Sequence, residues 1–140
     1  MTLEEIASHL EATTTLRLSP TGTMFLGFLP DEPDESTALY EYGGSAPSYT
    51  QDTTGPVIEY SRVHVVTRGP KPPAPAGYKI ARQTSREIYD SLAAVTNATL
   101  GTPAVRYLAI RPVQEPFDQE RDAHQRVLFA FNVEAWKDPS

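Results

Sequence analysis

The residues able to do chemistry are few and scattered. The chain holds three histidines, His9, His64 and His124, and no cysteine. No two histidines stand four apart, the spacing that sets two imidazoles on one helix face for a metal. The lack of cysteine removes thiolate nucleophiles, thiolate metal sites and disulfides together. Carboxylates gather at Asp31, Glu32, Asp34 and Glu35, and again at Asp118, Glu120 and Asp122. The first cluster is interrupted by Pro33 and lacks the ordered oxygen ligands and the glycine of a calcium loop. Both clusters sit in connectors, whereas carboxylate acid/base pairs need a rigid scaffold. They read as solvated acidic turns. No serine lies in the G-x-S-x-G turn of a nucleophile elbow. The expectation is no catalytic site, no metal site and no cofactor.

One stretch invites a closer look: "ALYEYGGSAP", residues 38–47. Gly43-Gly44 follows a strand, as a dinucleotide-binding turn would. No helix follows and the third glycine is missing. A Gly-Lys-Ser/Thr phosphate loop is absent as well. The tyrosines are the stronger signal. Tyr40, Tyr42, Tyr49 and Tyr60 fall within 21 residues. Tyrosine joins a large apolar body to one polar tip, which suits interfaces. Alternation along a strand also places one or two of them in a core.

The elements that must position these residues follow from periodicity. Residues 2–12 predict a helix, with Thr2 and Glu5 as a capping box and Leu3, Ile6, Ala7 and Leu10 as one stripe. The sequence predicts strands over 24–30 and 37–42, a loop over 43–56, and a long strand over 57–69. In that strand Val57, Val63 and Val65 share one parity, and Arg62, His64 and Arg68 the other. A Pro-rich linker, 70–77, leads to a helix over 78–96 with Tyr78, Ala81, Ser85, Ile88, Tyr89, Leu92 and Val95 facing inward. Asn97 would end it. Strands over 104–112 and 126–136 flank a charged connector, 113–125, and pair antiparallel. Val127, Phe129, Phe131, Val133 and Ala135 share one face of the last strand. The expected fold is α+β: one domain over 1–140, a small, mainly antiparallel sheet of about five strands, and two helices on one face. Its order is α-β-β-β-α-β-β.

Composition sets limits on function. The 140 residues fit a single domain, and 39% apolar with 21% charged residues is a globular composition. Thirteen prolines, against a usual share of about 5%, punctuate the elements and stiffen the loops. A formal net charge of −6 argues against tight nucleic-acid binding, which needs a basic footprint. It suits a surface past which DNA slides without sticking, or simply keeps the protein soluble. The amphipathic, acidic start lacks the basic and apolar regions of a signal peptide, and no apolar run approaches membrane-spanning length.

Four stretches then become specific in combination: "LPDEPDESTALYEYGGSAP", "VIEYSRVHVVTRG", "ARQTSREIYDSLAAVTN" and "RYLAIRPVQEPFDQERDAHQRVLFAFNVEAW". In that order, over about residues 2–137, the chain resembles the minor-capsid or tail-completion proteins, the tail terminators, of long-tailed bacteriophages. The ending carried by Pro112, Pro116, Phe117, Arg121, Asp122, Phe129, Asn132, Glu134 and Trp136 is among its most specific parts. The Pro-rich 70–79 stretch departs from the family pattern. The resemblance implies a structural virion protein, not an enzyme. It would be made in the bacterial cytoplasm and built into the head–tail junction. It implies a homo-oligomeric ring, a hexamer, that stops tail-tube polymerisation and meets the head connector, with genomic DNA passing through its lumen. Partners would be the tail tube protein and a head-closure or connector protein, with no membrane. A head-closure ring is the alternative. Candidate contact residues are Tyr40, Tyr42, Gly43, Gly44, Tyr49, Phe117, Arg121 and Asp122.

Overall fold

The computed structural model describes residues 2–44, 46–48, 58–72, 76–119 and 121–138. In chain order these form α1 (Thr2–Thr13), β1 (Met24–Leu26), β2 (Ser36–Tyr42), β3 (Glu59–Arg68) and α2 (Gly77–Ala93). There follow β4 (Thr96–Leu100), β5 (Val105–Pro112), β6 (Phe117–Asp118) and β7 (Leu128–Lys137). The α+β class holds, but the sheet differs from expectation. Among the described residues it has seven strands, not about five, and it is mixed. The order is β1-β2-β3-β7-β5-β4, with β6 also on β7. The β1–β2 pair is parallel and every other pair antiparallel.

Each departure has a local cause. The helix expected to run to residue 96 stops at Ala93, and Thr96 opens β4. Asn97, the expected helix end, lies inside that strand at φ 49°. Thr96 and Thr99 are β-branched and fit a pleated edge better than a helix. The connector 113–125 is largely the arm of a long hairpin. Pairing of β5 with β7 continues past Pro112 through the Val113 amide, which donates to the Asn132 carbonyl at 2.8 Å. It resumes at β6, where Phe117 faces Ala130. The free tip is shorter than the sequence suggested.

β3 and β7 form the spine, paired over ten residues from Glu59 opposite Lys137 to Arg68 opposite Leu128. Val63 faces Val133 and Val65 faces Phe131, and all four are buried against the helices. Alternation sorts β3 and β7 as the sequence predicted, and the odd-numbered residues of β2, which the sequence left open, join them on the helix side. Ile6 and Leu10 of α1 and Ile88 and Leu92 of α2 close the same core. The sheet curls, so α1 packs on β4 at one edge and on β1 and β2 at the other. Tyr107 of β5 is fully buried, and its hydroxyl donates to Glu5 of α1 at 2.5 Å. Glu5, assigned to a capping box, thus holds the helix to the sheet.

Candidate assembly surfaces

The face of the sheet away from the helices carries the polar and aromatic residues of β2, β3, β5 and β7. Register aligns them in rows. Tyr40 lies opposite His64, and His64 opposite Asn132. Tyr42 lies opposite Arg62, Arg62 opposite Glu134, and Glu134 opposite Arg111. Tyr60 lies opposite Trp136. The rows are laced together. His64 Nδ1 and Asn132 Oδ1 are 2.7 Å apart. Arg62 Nε donates to Glu134 at 3.3 Å, and Trp136 Nε1 donates to the same carboxylate at 2.9 Å. The Trp136 ring lies edge-to-face on Tyr60 and beneath the Arg111 guanidinium, 5.0 Å from its centroid. The Asn-x-Glu-x-Trp ending noted in the sequence is therefore one outward stripe of β7, held rigid by its neighbours.

Apolar groups stay exposed around this face. Tyr42 and Phe117 are each 40% exposed, Val113 58% and Phe28 56%. Phe117 lies on β6 opposite Ala130, on the same outward parity as Tyr40 and Tyr42. Phe28 packs edge-to-face on Phe25. These side chains are exposed singly around the outer face.

One end of the face is closed by a charged knot. Arg126 is 2% exposed and donates to Asp31 at 2.7 Å, to Asp34 at 2.9 Å and to Asp122 at 2.7 Å. Arg68, also buried, donates to the carbonyls of Pro33 and Asp34 at 2.7 and 2.8 Å. Asp122 further accepts the amides of His124 and Arg126, both at 2.9 Å. Arg126 thus ties the "PDEPD" turn to the hairpin tip, and Arg68 ties the same turn to β3. Burial works against ionisation of Asp122. The Arg126 amide and guanidinium and the His124 amide outweigh it and hold the carboxyl below its ordinary value. The Arg126 hydrogen bond lowers Asp31 likewise. The acidic turn expected to be merely solvated does bind a cation, and that cation is an arginine of the same chain.

The sequence-derived candidates part company here. Tyr40, Tyr42 and Phe117 share the outer face, Phe117 being separated from the two tyrosines by β3 and β7. Gly43 borders open space, whereas a side chain at Gly44 would meet the Tyr60 backbone. Arg121 is exposed at the hairpin tip, but Asp122 beside it is occupied inside the knot. Tyr49 lies outside the described residues. Sequence reasoning missed Arg126 and Arg68 as anchors, since nothing in spacing says that residues 31 and 126 meet. The outward row of Arg62, Glu134 and Trp136 was legible in strand parity alone.

No arrangement for chemistry emerges among the described residues. His9 Nε2 lies 3.1 Å from Ser91, His64 bonds Asn132, and His124 lies 3.4 Å from Asp31. Among the described residues no group of three or more His, Asp or Glu side chains is placed to hold a metal. No described helix is long and apolar enough to cross a membrane. What the fold offers instead is an outward sheet face with exposed aromatic side chains. The family comparison agrees: the model described as "Bacteriophage tail terminator protein" matches residues 9–138, so the chain belongs to the bacteriophage tail terminator family. No curated protein matches the chain at a significant level. Membership implies a structural phage component that interacts with other parts of the tail or head.

Proposed function

We propose that the protein forms a homo-oligomeric ring, a hexamer, at the head-proximal end of the phage tail. The ring caps the tail tube, halts its growth and meets the head connector, and the genome passes through its lumen without specific binding. The role is structural rather than catalytic and needs no cofactor. The observation that carries this reading is the open sheet face, where Tyr40, Tyr42 and Phe117 share one outward parity beside the laced Arg62, Glu134 and Trp136 row. Rigid, partly exposed aromatics of this kind lose little entropy on docking. That face is the candidate surface for a neighbouring subunit or an adjoining ring, with Gly43 and Gly44 at its margin; Arg121, beside Tyr78, is a candidate contact apart from it. Tyr49 belongs to the same proposal by sequence proximity.

Electron microscopy of particles assembled without the protein tests the reading. Tails of uncontrolled length are expected. Filled heads that leak DNA and carry no tail would instead assign the chain to head closure. Normal tails would remove it from both roles.

A further inference from the structure

Of the large apolar side chains exposed among the described residues, Tyr78 alone belongs to a helix. It lies on α2, edge-to-face on Phe129 at 5.1 Å, and is 46% exposed. Around it the chain departs from its acidic average. With Ala81, Ser85, Ile88 and Leu92 turned inward, helical spacing puts Tyr78, Lys79, Arg82 and Arg86 on one flank. They line a cleft of about 490 Å³, closed on its far side by Glu115 and Pro116. Arg121 lies in the adjoining hollow, which Tyr78 also lines. Arg86 is held by Asp90 at 3.3 Å and Glu115 at 3.7 Å. Lys79, Arg82 and Arg121 have no ion-pair partner among the described residues.

The opposite flank of α2 has the opposite charge. Glu87 lines a groove of about 140 Å³ with Glu35, Thr15, Thr23 and Thr84, and with the buried Arg68, whose guanidinium is taken up by the carbonyls of Asp31, Pro33 and Asp34. Both carboxylates are exposed, and neither has an ion-pair partner among the described residues. One helix thus separates a tyrosine ringed by cations from a pair of carboxylates set among threonines.

We infer that the basic flank, Tyr78 with Lys79, Arg82 and Arg121, docks on the acidic flank, Glu35 and Glu87, of a second copy of the chain. The inference rests on the ring proposed above and names the surfaces that meet in it. Each copy offers one patch and receives on the other, which makes the contact heterologous, the type that closes into rings. Tyrosine and arginine supply the anchoring chemistry, and charge complementarity sets the register. Duplex DNA fits the basic flank less well. Three unpartnered cations make a small footprint, Glu115 stands in the cleft, and the chain carries a net charge of −6.

Sedimentation velocity of the full chain at low salt tests the inference. The parent is expected to self-associate, less so as salt is raised. K79E/R82E and E35K/E87K, each checked for fold by circular dichroism, should associate about tenfold more weakly or worse. Mixing the two, or joining all four changes in one chain, should restore association, because complementarity is rebuilt with the signs exchanged. A parent that stays monomeric at high concentration would overturn the inference. So would reversed variants that associate like the parent, or a four-fold variant that stays apart. Fluorescence anisotropy with duplex DNA covers the remaining outcome: DNA binding lost in K79E/R82E with self-association unchanged would reassign the patch to nucleic acid. The function reading fails separately, on normal tails in particles lacking the chain.

Discussion

At Gly44 a Cβ would stand 2.1 Å from the Tyr60 carbonyl oxygen, well inside contact distance. The glycine pair that resembled an anion cradle thus has a steric explanation at its second member: the chain leaving β2 passes directly over β3. Gly44→Ala is expected to destabilise the fold by about 1–3 kcal/mol. Hydrogen exchange should show lost protection at the Tyr42 end of β2, while Gly43→Ala, facing open space, should be nearly neutral. A second residue carries a flaw that substitution can remove. Ser85 is fully buried on α2 and its hydroxyl has no hydrogen-bond partner among the described residues. Ser85→Ala should raise stability by about 1 kcal/mol, read by chemical denaturation, since an unpartnered buried hydroxyl is lost and helix propensity improves. The sequence placed Ser85 on the inward stripe correctly. It could not show that the site offers the hydroxyl nothing to bond.

Among the elements, the hairpin joining β5 to β7 changed most from its sequence reading. It looked like a charged connector free to reach a neighbour, yet Asp122 and Arg126 bind its tip to the turn before β2. This sets an acid limit. Asp122 and Asp31 are held below the ordinary aspartate value of 3.8, so they ionise more readily folded than unfolded. Their contribution is fully present above that value and is lost as pH falls through the lowered folded values. Stability should therefore drop in acid below about pH 4. Asp122→Asn should lower stability at neutral pH and flatten the acid limb; a parallel acid limb would show that Asp122 does not drive it. The tip was illegible because Asp31 and Arg126 lie 95 residues apart and only the β2–β3–β7 register brings them together. β4 was missed for a related reason. Its first residue, Thr96, reads as the last of a helix, and 98–100 carry no strand signal until β5 supplies hydrogen bonds.

For the whole molecule, the division of faces matters most. Both helices cover one side of the sheet, and the other keeps Tyr42, Val113 and Phe117 exposed around a rigid polar row. Tyr42→Ser with Phe117→Ser should leave the fold and thermal stability within about 1 kcal/mol of the parent, because both side chains are partly solvated. Tail-length control in assembled particles should be lost. Normal tails with the double variant would move the contact away from this face. The sequence by itself determined the class of the fold, the two helices, the long strands and the inward parity of Val63, Val65, Phe131 and Val133. Those features rest on local periodicity and on burying an apolar stripe, which a short window of residues already displays. It also carried the family membership, through the order of its motifs. Only the tertiary structure decided the seven-strand count, the parallel β1–β2 edge, the Arg126 knot and the meetings of Glu35 with Glu87 and of Arg121 with Tyr78. Each depends on residues distant in sequence meeting in space, and no local pattern encodes such a meeting.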